Sequence, residues 1–164
     1  MKYRIIDTAL GYVGISATEK GVYAVTLPCD TGEEAVISLG EKPGNSDLYP
    51  ELLPDLVERI TNYFNGEKVS FPDELDLSSA SEFQKKVWPA ARLITYGETR
   101  SYLWVATQAG NSRASRATGG ALGRNPLPII IPCHRVIAGN GGMGGFTGGI
   151  EMKMRLLALE SSGS

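Results

Sequence analysis

The chain has one histidine, His134, and two cysteines, Cys29 and Cys133. Two thiols make no disulfide framework, so the fold must be held by its core, and free thiols point to a reducing compartment. A lone histidine excludes any histidine-rich metal centre. No apolar run approaches the ~18 residues that span a membrane. The first seven residues, Met-Lys-Tyr-Arg-Ile-Ile-Asp, lack the apolar stretch of a secretory signal, and a cytoplasmic location (nuclear in a eukaryote) is the expectation. Acidic residues are scarce in one half only. Residues 80–164 hold four, against ten Lys and Arg, whereas residues 1–79 hold fourteen against six. The overall charge of −2 therefore hides an acidic half and a basic half. Lys and Arg neutralise phosphates, so the basic half suits a nucleic-acid binder; a dipolar surface without a partner is the plainer alternative.

At 164 residues there is room for one domain or two small ones. In the acidic half, residues 2–9, 11–17 and 22–28 are rich in Ile, Val, Tyr and Thr and are separated by short turn signals. They predict a three-stranded antiparallel meander. A short helix is expected at 33–39. A longer one starts at Pro54, with Leu56, Ile60 and Phe64 on one face and Gly66 as its stop. Residues 69–77 read as an extended segment leading to the linker. Cys29 has no histidine near it in sequence and reads as structural.

The basic half opens with Ser81-Glu-Phe-Gln84, the form of a capping box. Phe83, Val87, Ala90 and Ile94 then share a helical face, with Pro89 expected to kink or break it. Two short helical patterns, 101–109 and 114–123, are joined as a helix-turn-helix would be, with a turn of four residues. The second carries Arg113, Arg116 and Arg124. Gly119-Gly120 is costly inside a helix unless a backbone must come close. In residues 139–149, seven of eleven are glycine, which predicts a hairpin-like wing whose amides approach a ligand. A final helix is expected at 150–160, with Ile150, Met154 and Leu157 inward and Glu160 at the edge of that face.

The chemistry gathers at Asn125-Pro-Leu-Pro-Ile-Ile-Ile-Pro-Cys-His-Arg-Val-Ile137. Its prolines predict a rigid, extended, buried run. Cysteine is nucleophilic only as thiolate, and a free pKa near ~8.5 leaves it mostly protonated, so Cys133 needs a base. His134 is the only imidazole there is. A histidine base works best when a third group fixes its tautomer, and Glu160 is the candidate. On a straight strand adjacent side chains point apart, so either the backbone turns at Pro132-Cys133 or a water carries the proton.

Pro-Cys-His-Arg-Val preceded by Asn-Pro-x-Pro-Ile resembles the active-site signature of the O6-alkylguanine-DNA alkyltransferases, and the likeness runs from about residue 83 to 160. It implies an α+β fold: a small ribonuclease-H-like domain over 1–77, acting as support, and a winged helix-turn-helix domain over 78–164. The implied activity is irreversible, stoichiometric transfer of the alkyl group from O6-alkylguanine in duplex DNA to Cys133, through a Cys133–water–His134–Glu160 relay. No cofactor and no metal are implied; some relatives hold zinc in the first half through Cys and His, which this half, with one Cys and no His, cannot do. The resemblance also implies that Asn125 ties down the active-site turn. Tyr102 would crowd a phosphate and meet the flipped base, and Arg116 would fill the gap in the duplex. Ser101, Ala117 and Arg135, in the same motifs, are expected with the DNA-contacting set. Pro128, Val136, Phe146, Thr147 and Gly148 would line the base pocket. The expected partner is double-stranded DNA, gripped in the minor groove by a monomer, with no membrane involved. Departures from the usual pattern are Pro89, Thr118, Phe146 in place of Tyr, and Leu159 in place of His. A non-catalytic sensor of alkylated DNA is the alternative, disfavoured because such proteins lack the cysteine that stands here. A cysteine hydrolase is a third reading, weakened by the absence of a second histidine.

Overall fold

The computed structural model describes residues 1–42, 47–139, 144, 146 and 148–162. The chain divides into two compact units, Met1–Ser78 and Ser79–Ser164. No helix among the described residues is long and apolar enough to cross a membrane.

The first unit follows its apolar pattern. Strands β1 (Lys2–Thr8), β2 (Gly11–Thr18) and β3 (Gly21–Val25) form an antiparallel sheet in the order β1-β2-β3. Gly11 and Gly21 open β2 and β3 at φ +137° and +147°. A Cβ on Gly21 would come within 2.5 Å of the Glu74 carbonyl, so only glycine lets the 74–76 segment lie against β3. Helix α1 (Gly32–Ser38) is capped by Thr31, whose hydroxyl accepts from the Glu34 amide, and packs on β2. Helix α2 (Pro54–Phe64) begins with proline and packs on β1. Its Leu56, Ile60 and Tyr63 are buried, as are Tyr3, Val13 and Ile15 of the sheet. Full burial of such side chains stabilises by about 1.5–3 kcal/mol each before the entropy of ordering them. The expected extended segment at 69–77 is not a strand: it makes one isolated bridge, Leu75 to Val22.

The second unit is helical. Helix α3 (Gln84–Ala91) is preceded by the capping box: Gln84 N–H donates to Ser81 Oγ at 3.1 Å and Ser81 N–H to Gln84 Oε1 at 2.9 Å. Pro89 does not break the helix but sits on its exposed side, and the helix ends two residues later. Val87, Trp88, Ala90, Ala91 and Ile94 are buried, and the Trp88 indole donates to the Ala121 carbonyl at 2.9 Å. A short strand β4 (Arg100–Ser101) leads into α4 (Tyr102–Gln108), capped by Ser101, and then α5 (Ser115–Gly123). The connection between these helices is six residues long, not four. Next comes a 3₁₀ turn, Cys133–Arg135, and strand β5 (Val136–Ile137), which pairs parallel with β4. Helix α6 (Ile150–Ser162) ends the unit.

Two expectations fail here, each for a physical reason. The Pro-rich run before Cys133 is a series of turns, because Ile129 takes a left-handed φ of +76° that no extended chain allows. Helix α6 turns Lys153, Leu156 and Glu160 inward and leaves Ile150 and Met154 more than half exposed. The polar side chains on its buried face have partners that outweigh the apolar alternative.

Candidate active site

The local geometry around Cys133 starts from Asn125. Its side-chain oxygen accepts from the Leu127 amide at 2.8 Å, while Nδ2 donates to the Ile131 carbonyl at 2.9 Å and to Cys133 Sγ at 3.2 Å. One amide thus closes the turn that holds the strained Ile129 and reaches the sulfur. The backbone then enters the 3₁₀ turn, which resolves the problem of adjacency. Successive side chains now diverge by about 120° rather than alternating across a strand. Cys133 faces a cavity while His134 turns into the protein, fully buried.

His134 Nε2 meets Glu160 Oε2 in a short buried contact. Arg135 follows it inward: Nε donates to Glu160 Oε1 at 2.8 Å, NH2 to Oε2 at 3.1 Å, and NH1 to the Ile94 carbonyl at 2.8 Å. The Gly97 amide also donates to Glu160 Oε1, at 3.1 Å. Burial opposes the charge on Glu160, but the hydrogen bonds and charge of His134 and Arg135 outweigh it and bring its pKa down to about 2. Glu160 is therefore a carboxylate throughout the physiological range. Burial pulls His134 below its ordinary value, assisted by the Arg135 and Lys153 cations and opposed by Glu160. The imidazole is a neutral base at rest. With Nε2 committed to Glu160, Nδ1 is the nitrogen that can take a proton from the direction of the thiol. Burial pushes the Cys133 thiol up, and the Asn125 amide, the adjacent backbone N–H groups and the Lys153 charge work against that rise.

The β4–β5 pair sets Arg100 beside Val136 and Ser101 beside Ile137, which brings the first residue of α4, Tyr102, to the mouth of the site. Tyr102, Arg116, Gly119, Cys133, Ala138 and Phe146 line a cavity of about 670 Å³. Such a volume is in the usual range of small-ligand pockets. Gly144 lies against Tyr102: a Cβ there would come within 2.5 Å of the phenol oxygen. Most of the expected wing lies outside the described residues; Gly144 itself approaches a side chain, where sequence had anticipated a ligand. Gly119 stands at ordinary contact distance from the Tyr102 ring, so the close approach expected of Gly119-Gly120 is a loose one.

Cys133, His134, Glu160 and Asn125 are thus brought together, and Tyr102, Arg116 and Phe146 share the cavity with the sulfur. Arg116 and Ala117 are exposed on α5, and the Ser101 hydroxyl caps α4 by accepting from the Trp104 amide at 3.0 Å. Pro128 and Val136 are buried; Gly148 is exposed, and Thr147 lies outside the described residues. Arg135, grouped by sequence with the DNA-contacting residues, is placed otherwise. Its guanidinium is buried on Glu160 because that carboxylate, taken out of water, needs a cation. Sequence reasoning missed Lys153. It is fully buried, and Nζ donates to the Val136 carbonyl at 2.6 Å. A lysine one helical turn before Leu157 looks like an ordinary surface residue, and nothing in the apolar pattern marks it. Among the described residues no group of three or more His, Cys, Asp or Glu could hold a metal ion.

Comparison with known proteins matches both halves. The family model for the 6-O-methylguanine DNA methyltransferase DNA binding domain covers residues 82–162, and that for the ribonuclease-like domain of the same family covers residues 1–77. A methylated-DNA–protein-cysteine methyltransferase of Mycobacterium bovis is 48% identical over 160 residues, 98% of this chain and 92% of the relative. One from Methanosarcina acetivorans is 38% identical over 162 residues, 99% of each. The crystal structure of Mycobacterium tuberculosis OGT in complex with DNA superposes with a TM-score of 0.81 at 36% identity, covering 100% of this chain and 95% of that one.

Proposed function

The chain belongs to the 6-O-methylguanine DNA methyltransferase family, and from that premise we propose that Cys133 is the acceptor of the alkyl group, with His134, Glu160, Asn125 and Tyr102 as its working partners. The activity is repair of DNA by direct reversal: an alkyl group passes from O6-alkylguanine to a protein cysteine.

The step runs as follows. The Cys133 proton moves through a water to Nδ1 of His134, and the imidazolium formed is stabilised by Glu160. The thiolate attacks the alkyl carbon in line; the S–C bond forms as the C–O6 bond breaks, its electron pair leaving on guanine. The Tyr102 hydroxyl delivers a proton to the departing base and recovers one through solvent from the imidazolium, so the proton lost by Cys133 balances the one gained by guanine. The product is a thioether. Water does not cleave a thioether, so each molecule acts once. A target atom inside a duplex is out of reach of a buried thiol, so the nucleotide rotates out of the stack. That costs a few kcal/mol, least for a badly paired base. Arg116, exposed on α5, fills the gap, and α5 lies in the minor groove of duplex DNA bound by a monomer. Val136, Pro128, Phe146 and Gly148 frame the base, and free thiols suit a reducing cytoplasm.

The observation that supports the assignment is one contact: the Asn125 amide on Cys133 Sγ, at the wall of the cavity that Tyr102 and Arg116 share. The test is intact mass and peptide mapping after mixing the protein with a duplex containing one O6-methylguanine. One methyl on the Cys133 peptide, saturating at one per molecule and absent in Cys133→Ser, is the expected result. Tight binding with Cys133 unmodified would make the chain a lesion sensor instead.

A further inference from the structure

Lys153 is the buried ionisable group for which the reaction above finds no use. It lies one and two helical turns before Leu156 and Glu160 on the inward face of α6, with none of its surface exposed. A lysine gives up substantial hydration to sit there, and a methionine would fill the space without that penalty. What the ammonium faces is specific. Nζ donates to the Val136 carbonyl at 2.6 Å, and the Val136 amide donates to the Cys133 carbonyl, so the lysine is bonded to the residue whose amide closes the turn on the cysteine. Nζ also stands 5.9 Å from the centre of the Tyr102 ring at the cavity mouth. Its charge acts on both Cys133 and His134 of the 3₁₀ turn. Arg135 is directed away from it, onto Glu160.

We propose that Lys153 is a positioning residue for the transfer reaction, placing a fixed positive charge behind Cys133 that stabilises the thiolate once its proton has gone to His134. The division of labour is then clear. His134 and Glu160 move the proton, while Arg135 satisfies Glu160 and Asn125 orients the sulfur. Lys153 lowers the cost of the negative charge left on sulfur inside a site that burial would otherwise keep protonated. Its long reach to Val136 fixes the ammonium in place. The coupling is mutual: burial lowers the Lys153 pKa, and a charged Cys133 raises it. The inference rests on Cys133 being the acceptor, but it can be tested without DNA.

The experiment follows the rate at which iodoacetamide alkylates Cys133 across pH, read by peptide mapping, with the half-exposed Cys29 in the same molecules as internal reference. An opposite charge nearby moves a titration midpoint by about one to three pH units. The Cys133 midpoint is expected to rise by about one pH unit or more in Lys153→Met, and to stay within about 0.3 of wild type in Lys153→Arg, while Cys29 is unchanged. A folded Lys153→Met protein with an unshifted midpoint overturns the proposal, even if its rate is lower at every pH. Wild type gives a second reading that depends on no variant. With ¹⁵N-labelled lysine, alkylating Cys133 removes the negative partner, and the Lys153 Nζ midpoint should fall; no change would overturn the proposal equally. If these midpoints move as stated but wild type takes no methyl from O6-methylguanine DNA, the functional reading fails and the electrostatic one stands.

Discussion

The two units bury polar groups on different terms. Among the described residues of Met1–Ser78 the buried polar side chains are three hydroxyls, Thr8, Ser16 and Thr26, and one carboxylate, Asp76. Asp76 accepts from Thr18 Oγ1 at 2.6 Å and from the Ser78 amide and hydroxyl, and the Ser78 hydroxyl is the main reason its pKa falls to about 2. In Ser79–Ser164 a histidine, an arginine, a lysine and a glutamate are buried together within reach of a cysteine. Four ionisable groups in one cluster cost stability unless each is satisfied. The contrast teaches where to look for chemistry. The first unit's interior is what its sequence pattern demands. The second carries a buried ionic network beside Cys133 that its apolar pattern does not call for.

Breaking the network should cost the most. Glu160→Leu leaves Arg135 buried without its carboxylate and should lower stability by about 4 kcal/mol, with methyl transfer abolished. Denaturant unfolding followed by tryptophan fluorescence is the measurement, since Trp88 and Trp104 both belong to the second unit. Ile60→Ala, in the apolar interior of the first unit, should cost about 3 kcal/mol through the cavity it leaves. Its transfer rate per folded molecule should stay within about twofold; a larger loss would mean that this unit acts on the chemistry after all.

Acid sharpens the comparison. His134 and Glu160 both have folded pKa values below their unfolded ones, so each contributes stability that is whole at higher pH and drains as pH falls. The His134 contribution starts to go below about pH 6.5 and that of Glu160 below about pH 4.3, the latter being of order 3 kcal/mol. The first unit has no histidine. Its Asp76 contribution begins to drain only below about pH 4. Tryptophan-monitored unfolding should therefore weaken between pH 6.5 and 5 while amide exchange in β1–β3 is unaffected. Simultaneous weakening would erase the distinction. Asn125→Ala should cost only about 1.5 kcal/mol, by orphaning the Leu127 amide and the Ile131 carbonyl, yet reduce transfer far more than Ile60→Ala does. Cys29→Ala is the smallest change, below about 0.5 kcal/mol with transfer intact, because its thiol makes weak contacts, to the Leu27 carbonyl at 3.3 Å and the Ser38 hydroxyl at 3.9 Å.

What could be read from sequence follows the same divide. The meander, α1, α2 and the capping box of α3 stand close to where periodicity and turn residues put them, although β3 ends at Val25, three residues short of the expected 28. The helix-turn-helix and the Cys133–His134–Glu160 grouping were legible as well, the latter because one histidine leaves no alternative base. The inward face of α6 was not. Apolar periodicity chose Ile150 and Met154, whereas the helix is rotated to bring Lys153 to Val136 and Glu160 to Arg135, partners that lie far off in sequence. The β4–β5 pair, two residues a side, is too short to carry a strand signal. The positive φ of Ile129 is invisible because nothing about isoleucine predicts it; the Asn125 bonds that sustain it appear only in three dimensions.

The bond from the Gly97 amide to Glu160 spans 63 positions of chain, and that from His134 to Glu160 spans 26. Helices α3, α4 and α5 form from neighbours, while these closures must wait for distant segments to meet, and such contacts are the slow ones in folding. The order of events is then set by topology. A partly folded molecule holds its helices before it holds its carboxylate, and its thiol has no oriented base. The oriented base for Cys133 thus arrives last, with the native state, and in the same step as the fold around its cavity.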